Sequence, residues 1–221
     1  MPQAGSHRWA RRALAVLLST AMIFAVPLAD SASAHGSVVD PASRNYGCWL
    51  RWGNDFQNPA MQQQDPMCWQ AWQDNTNAMW NWNGLYRNGV GGNHEAVIPN
   101  GQLCSAGLTE GGRYRSMDTP GAWTMANLAS TFNIRLNDQA RHGADYIRVY
   151  ITRQGYNALT TPLGWNNLEL VRTTPKYAPG DVYMINNLSK GSRTGRHVIY
   201  VIWQASHMDQ SFYFCSDVNF G

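Results

Sequence analysis

The chain has 221 residues, few of them charged, and a net charge of +3 at neutral pH. Without the predicted leader (residues 1–34), 187 residues remain with a net charge of +1, because the leader holds three of the 17 basic and one of the 14 acidic residues. A near-neutral surface argues against nucleic acid and anionic membranes as principal partners, and 187 residues suffice for one domain with a substantial core.

Residues 1–34 are predicted to be a secretory signal peptide. A basic start is followed by an apolar core at 14–28, which is too short to span a bilayer, and by the small-x-small cleavage sequence Ala32-Ser33-Ala34. No apolar run of membrane-spanning length follows, so we expect a secreted protein with no membrane partner. Cleavage there makes His35 the first residue of the mature chain. The pair Arg11-Arg12 leaves twin-arginine export open beside the general secretory route.

The first mature segment is predicted to open with a short strand at 36–39, which ends at Asp40-Pro41. Residues 44–94 show no alternation of apolar and polar side chains and are interpreted as a long excursion, with a short helix at 66–73 and another helical turn or two within 76–87. Loops of this length in a compact domain are usually functional or disordered. This one is too aromatic to be disordered.

Four cysteines follow the leader, and in an exported protein an even number is best interpreted as two disulfides. Their spacing fits no zinc motif. Three connectivities are possible, and we prefer the one that closes the excursion on itself and ties the middle of the chain to its last strand: Cys48–Cys68 with Cys104–Cys215.

From residue 131 onward the pattern changes to short strands separated by turn residues. Strands at this spacing predict an antiparallel β-sandwich. The sequence shows no repeat or linker after the leader, so residues 35–221 are predicted to be a single domain. The strand predictions rest on alternation at 132–136 and 147–151 and on apolar runs at 168–171, 182–185, 198–203 and 212–220.

An N-terminal histidine carries two nitrogen donors, the α-amine and the imidazole, which together can chelate one metal ion. A third nitrogen from another histidine would complete a set that favours copper among common metals. His142 lies between two predicted strands, where a sandwich presents its binding residues. The alternatives are His94, His197 and His207; any single one of them is more often an ordinary structural or surface histidine.

The chain resembles the bacterial lytic polysaccharide monooxygenases of auxiliary-activity family ten, formerly called chitin-binding proteins. The resemblance runs in order over residues 35–221. It rests on these segments: His35-Gly36-Ser37-Val38-Val39-Asp40-Pro41-Ala42-Ser43-Arg44, Asn81-Trp82-Asn83-Gly84-Leu85-Tyr86, Gly101-Gln102-Leu103-Cys104-Ser105, Ala140-Arg141-His142, Leu163-Gly164-Trp165, Leu168-Glu169-Leu170, Trp203-Gln204-Ala205-Ser206-His207 and Phe212-Tyr213-Phe214-Cys215-Ser216-Asp217-Val218.

This resemblance implies a fibronectin-III-like or immunoglobulin-like sandwich that holds one copper ion in a "histidine brace" made by His35 and His142. It matches Phe212 to the phenylalanine on the axial side of the metal and Ala140 to the small residue opposite. Gln210 matches a position near the site where the oxidant binds, held by Glu or Gln. The implied reaction uses an external reductant and O2 or H2O2.

The resemblance also implies an insoluble polysaccharide substrate, which would bind to an exposed, flat surface of the protein. Our candidates for that plane are Trp82, Asn83 and Tyr86. At position 141 the resemblance implies a small residue, but this chain has Arg141, which either contacts the substrate or lies at the edge of the site without contacting it. The motif variants resemble members that oxidise cellulose at C1 and C4 and often attack chitin as well. We therefore expect a secreted monomer that cleaves cellulose. A chitin-specific enzyme, a non-catalytic binding module and a copper chaperone are the alternatives.

Overall fold

Two β-sheets form the body of the protein. The computed structural model describes Met1 and residues 35–221, so residues 2–34 of the predicted signal peptide lie outside the described residues. In the described part of the chain, no helix is long and apolar enough to cross a membrane. The strands are β1 Gly36–Asp40, β2 Tyr86–Asn88, β3 Ala126–Leu128, β4 Thr131–Asp138, β5 Ala144–Thr152, β6 Leu168–Thr173, β7 Val182–Ser189, β8 Gly195–Ala205 and β9 Gln210–Phe220.

The helices are short and lie mainly between β1 and β3. The α-helices are α1 Arg44–Trp52, α2 Met61–Gln64, α3 Pro66–Asp74, α4 Asn77–Trp80, α5 His94–Val97 and α6 Thr109–Gly112, and 3-10 turns occupy Gly53–Asp55, Leu103–Ser105, Arg115–Asp118 and Trp165–Asn167. The predicted helices at 66–73 and within 76–87 correspond to α3 and α4. The sequence prediction missed α1, β2 and β3.

The smaller sheet has the order β1-β4-β7 and the larger one the order β2-β9-β8-β5-β6, with β3 beside β9. Pairing is antiparallel except between β3 and β9. The β-sandwich prediction is confirmed, as are the strands predicted from alternation and from apolar runs.

Two hydrophobic cores lie on opposite faces of the larger sheet. Strand β8 shows how, because its side chains alternate between them. Ile199, Val201 and Trp203 point into the core between the two sheets, whereas Tyr200 and Ile202 point into the core beneath the helical excursion. A strand covered on both faces is apolar at nearly every position, which is why this segment reads as a continuous apolar run.

Two disulfides and a buried ion pair stabilise the helical excursion that follows β1. Cys48 of α1 pairs with Cys68 of α3, and Cys104 pairs with Cys215 of β9, which is the connectivity preferred from the sequence. The guanidinium of Arg44 contacts the Asp217 carboxylate at 2.7 Å. The first disulfide joins two helices of the excursion, whereas the second disulfide and the ion pair hold this part of the chain against β9 of the larger sheet. The segment around Asn83, which lies in the excursion, contacts the start of β1.

Candidate metal centre

His142 lies in the short connection between β4 and β5. The connection turns sharply, with positive φ angles at Arg141 and Gly143. A glycine adopts such angles without steric cost, whereas for Arg141 they are uncommon. The turn points the His142 ring inward, so that only 5% of the residue is exposed.

The buried carboxylate of Asp138, at the end of β4, orients the His142 ring. It contacts the ring Nδ1 at 2.9 Å and accepts a hydrogen bond from the main-chain nitrogen of His142. The hydroxyl of Tyr183 also donates to Asp138, at 2.8 Å. Burial raises the pKa of Asp138, but the hydrogen bonds from His142 and Tyr183 outweigh that effect and lower it. The group is therefore a carboxylate at neutral pH, and Nδ1 of His142 donates to it.

This arrangement leaves the other ring nitrogen of His142 with an unused lone pair. Nε2 is buried and has no hydrogen-bond partner among the described residues. A buried polar atom without a partner is costly and needs an explanation. A metal ion provides one, since a ligating histidine typically donates its other ring nitrogen to a carboxylate. The residues present therefore fit a metal at this position.

Strand pairing brings residue 35 to the same end of the smaller sheet. Gly36 pairs with Asp138 across β1 and β4, and the main-chain nitrogen of Gln139 donates to the His35 carbonyl at 2.8 Å. The nitrogen of Gly36 donates to the Asn83 carbonyl, also at 2.8 Å. The backbone of His35 thus lies beside the loop that carries His142.

Gly36 allows this close approach because it has no side chain. A Cβ atom there would lie 2.5 Å from the Trp203 ring and 2.7 Å from the Asn137 carbonyl oxygen. Both distances are shorter than van der Waals contact. A larger residue at position 36 would push the start of β1, and His35 with it, away from the His142 loop.

Phe212 borders the same region from β9, and Gln210 lies two residues before it in that strand. The Phe212 ring is fully buried, stacks on Trp203 at 4.2 Å between centroids and lies 6.2 Å from the His142 ring. Gln210 is also buried; its Nε2 donates to Asn88 at 3.0 Å, and its Oε1 has no partner in the part of the chain that the structure describes. Ala140 is exposed, and its main-chain nitrogen donates to Asp138.

The other histidines divide into two kinds. His207 is exposed, with its ring 4.1 Å from the His142 ring. His94 and His197 are buried and hydrogen-bonded at both ring nitrogens. The partners of His94 are the hydroxyls of Tyr213 and Tyr146, and those of His197 are Thr152 and the Thr194 carbonyl. Within 35–221, no three His, Cys, Asp or Glu side chains are grouped as a metal site.

Trp82, which is predicted on the substrate face, lies mostly inside the protein. It is only 9% exposed, and its ring centroid lies 4.8 Å from that of Tyr46 and 5.4 Å from that of Trp49. Its ring is part of an aromatic cluster and offers no open stacking plane, and its contact with substrate stays a prediction.

The other predicted face residues are accessible. Asn83 and Tyr86 are partly exposed, and the Asn83 side chain donates to Gln139 at 2.7 Å. Arg141 is exposed and forms a surface ion pair with Asp181. These three residues, unlike Trp82, can meet a ligand at the surface.

Sequence reasoning missed Asp138 and Tyr183. For Asp138, an aspartate four positions before a candidate ligand is a signal that could have been used. No local signal marks Tyr183, which reaches Asp138 from the other edge of the sheet. Burial and the Asp138 carboxylate raise the pKa of Tyr183 to about 12, so the hydroxyl remains a hydrogen-bond donor.

Comparison with known proteins identifies the family. The profile of a family described as "Lytic polysaccharide mono-oxygenase, cellulose-degrading" matches residues 35–218. The chitin-binding protein CbpD of Pseudomonas aeruginosa is 36% identical over 213 residues, which cover 94% of this chain and 52% of the relative. The chain thus spans about half the length of this curated relative.

Solved structures are similar over most of the chain. The crystal structure of a lytic polysaccharide monooxygenase from Kitasatospora papulosa is 62% identical with a TM-score of 0.83, covering 85% of this chain and 98% of that one. The structure of the cellulose-active monooxygenase CelS2 in complex with copper is 28% identical with a TM-score of 0.70, covering 85% and 100%. The present chain therefore belongs to the lytic polysaccharide mono-oxygenase family.

Proposed function

We propose that this protein is a secreted, copper-dependent monooxygenase that oxidatively cleaves β-1,4-glycosidic bonds at the surface of cellulose. The observation that carries the proposal is the buried Nε2 of His142, which has no partner among the described residues. Asp138 orients that nitrogen, and the backbone of His35 is hydrogen-bonded to the same loop.

The proposed ligands are the α-amine and ring of His35 together with Nε2 of His142. A set of three nitrogens favours copper, and the copper-bound structure of CelS2 belongs to a similar protein. Copper bound there would supply the one-electron redox chemistry that reduces O2 or H2O2 with electrons from an external reductant.

The surrounding side chains control access and hydrogen bonding at the site. Phe212 carries no donor atom, so it closes its side of the site without adding a ligand. Gln210 has its Nε2 fixed by Asn88, and we propose that its Oε1, which has no partner among the described residues, accepts a hydrogen bond from H2O2 when that is the oxidant. Ala140 is small, and we propose that it limits the opposite side without blocking it.

Removal of the leader is part of the proposed mechanism. Only cleavage before His35 frees the α-amine, and a free α-amine has a pKa of about 7.7–8. Metal binding must therefore displace a proton from that amine, and copper affinity should weaken in acid.

A surface site suits a solid substrate, because a crystalline chain cannot enter a deep cleft. We propose that Asn83, Tyr86 and Arg141 contact the polysaccharide around the metal. The family description and the name of CelS2 favour cellulose, with oxidation at C1, C4 or both. The name of CbpD makes chitin the second candidate substrate.

The decisive experiment compares four proteins: the chain exported with its own leader, the same chain with one alanine added before His35, the His142→Ala variant and the His197→Gln variant. N-terminal sequencing of the first should begin at His35. Copper affinity is measured by calorimetry, and products from cellulose and chitin with ascorbate are identified by mass spectrometry.

We expect tight copper binding and oxidised oligosaccharides only from the processed chain and from His197→Gln. The added alanine converts the amine to an amide, and His142→Ala removes the third nitrogen. The proposal fails if either change leaves copper affinity intact. Binding to cellulose without oxidised products from the processed chain would instead identify a non-catalytic module.

A further inference from the structure

Two neighbouring cavities open on the flank of the larger sheet, outside the candidate metal centre. The first has a volume of about 290 Å³ and is lined by Asn93, Glu95 and Arg148, among others. The second has a volume of about 370 Å³ and lies between Tyr146 and the turn after β8. Both are bordered by Gly92. Together they form a groove within the size range of small-ligand sites.

The partition between the cavities is rigid. The Arg148 guanidinium lies over the Tyr146 ring, 4.6 Å from its centroid. The Tyr146 hydroxyl contacts Nε2 of buried His94 at 2.8 Å, and Nδ1 of His94 contacts the Tyr213 hydroxyl at 2.9 Å. The aromatic ring and the cation are therefore held in place before any ligand arrives, which lowers the entropic cost of binding.

The charges of the groove disfavour an anionic ligand. Glu95 and Asp209 contribute carboxylates, opposite the single guanidinium of Arg148. Asp145 adds a third carboxylate that is paired with Lys176 at 3.0 Å. Because the lining cations do not outnumber the carboxylates, the groove has no electrostatic attraction for phosphate or other anions. Tyrosine rings beside amide, carboxylate and guanidinium groups suit a ligand with apolar C–H faces and many hydroxyls.

The groove begins next to the candidate metal centre. Ser206 and Met208, which line the second cavity, flank His207 in the sequence. The His207 ring lies 4.1 Å from the His142 ring. A chain leaving the metal centre in this direction would therefore enter the groove.

We propose that this groove binds a single neutral β-linked glycan chain, either a segment detached from the solid surface or a released oligosaccharide. The inference rests on the proposed function for the nature of the ligand. It differs from the surface contacts of Asn83, Tyr86 and Arg141, because it assigns a concave site to an individual chain.

The test measures binding of soluble cellohexaose and chitohexaose to the processed, copper-loaded protein by calorimetry, without reductant so that no turnover occurs. Hydrogen–deuterium exchange then maps protection. We expect saturable binding of at least one hexasaccharide and slower exchange in residues 91–96. Arg148→Gln should weaken binding roughly tenfold, the usual scale for losing a charged hydrogen bond.

Two further variants guard against misfolding and non-specific effects. Glu95 is exposed, so Glu95→Gln should fold normally and weaken binding by a smaller factor. Arg135→Gln, on the exposed side of β4 in the other sheet, should leave the dissociation constant unchanged. The proposal is overturned if neither hexasaccharide binds at millimolar concentration, or if Arg148→Gln and Glu95→Gln both bind like the unmodified protein.

The two proposals can fail separately. The groove is tested by binding without reductant, whereas the monooxygenase is tested by oxidised products. Loss of oxidised products with intact hexasaccharide binding would reject only the enzymatic proposal. The reverse result would reject only the groove.

Discussion

At the scale of single residues, the most informative group is the carboxylate of Asp138. It receives hydrogen bonds from the His142 ring, the His142 main chain and Tyr183. Its negative charge fixes the tautomer in which Nδ1 of His142 carries the proton. Asp138 is thus a positioning residue that acts through His142.

Replacing Asp138 with asparagine should weaken copper binding about 10- to 100-fold, which is the usual effect of removing such a partner. The amide oxygen can still accept from Nδ1 but carries no charge. Competition with a copper chelator measures the affinity. The matched control is Asp181→Asn, which removes an exposed carboxylate near the same loop and should leave copper affinity unchanged. Equal affinities in both variants would contradict the positioning role.

His94 should make the protein less stable in acid. Burial and, secondarily, the charge of Arg148 lower its pKa from 6.5 to about 4. Because the folded chain binds this proton less readily than the unfolded chain, the contribution of neutral His94 to the free energy of unfolding is fully present above pH 6.5. It is lost as the pH falls from 6.5 towards 4, by up to about 3 kcal/mol.

The measurement is the free energy of urea unfolding at several pH values between 7 and 4. A His94→Gln variant cannot titrate, so its stability should fall less steeply over this window. Parallel curves for the two proteins would show that His94 is not responsible for the pH dependence.

At the scale of elements, the excursion between β1 and β3 depends on its attachment to β9. Arg44 at the start of α1 lies over the Trp123 ring, and it also forms the buried ion pair with Asp217. Arg196 approaches the same carboxylate at 3.5 Å. The guanidinium groups of Arg44 and Arg196 are therefore both balanced by the buried carboxylate of Asp217.

Asp217→Asn should cost about 3–5 kcal/mol of unfolding free energy, because removing one partner leaves buried charge uncompensated. Chemical denaturation measures the loss. The comparison variant is Asp74→Asn, which removes the partner of largely exposed Arg115 and should cost less than about 1 kcal/mol. Similar losses in the two variants would show that the buried pair is no more important than the surface pair.

At the scale of the whole molecule, the proposed metal would connect the start of β1 to the β4–β5 connection. Since an unfolded chain does not hold these groups together, copper should stabilise the folded state. Free copper at 100 times its dissociation constant should add about 2.7 kcal/mol and raise the melting temperature by roughly 5–10 °C.

Scanning calorimetry with and without copper measures this shift. The rise should be absent from His142→Ala and from the chain extended before His35, because each lacks one proposed nitrogen. An equal rise in those variants would place the stabilising copper at another position.

The pattern of apolar and polar residues along the chain was sufficient to predict much of the fold. Alternating side chains predicted β4 and β5, and continuous apolar runs predicted β8 and β9, since burial on one or both faces of a strand imposes these patterns directly. Helix α1 was missed because it contains Gly47 and several aromatic residues, which are weak helix formers. It is held instead by the Cys48–Cys68 disulfide and the Arg44–Asp217 contact.

The sequence by itself determined the family resemblance, the candidate ligands His35 and His142 and the order of the main strands. Only the tertiary structure decided that Trp82 is buried and that His94 is hydrogen-bonded at both ring nitrogens. It also decided that one ring nitrogen of His142 has no hydrogen-bond partner within the described part of the chain. The physical reason is that strand patterns arise from neighbours along the chain. Whether a side chain is buried or hydrogen-bonded depends on segments that meet only through strand register and packing.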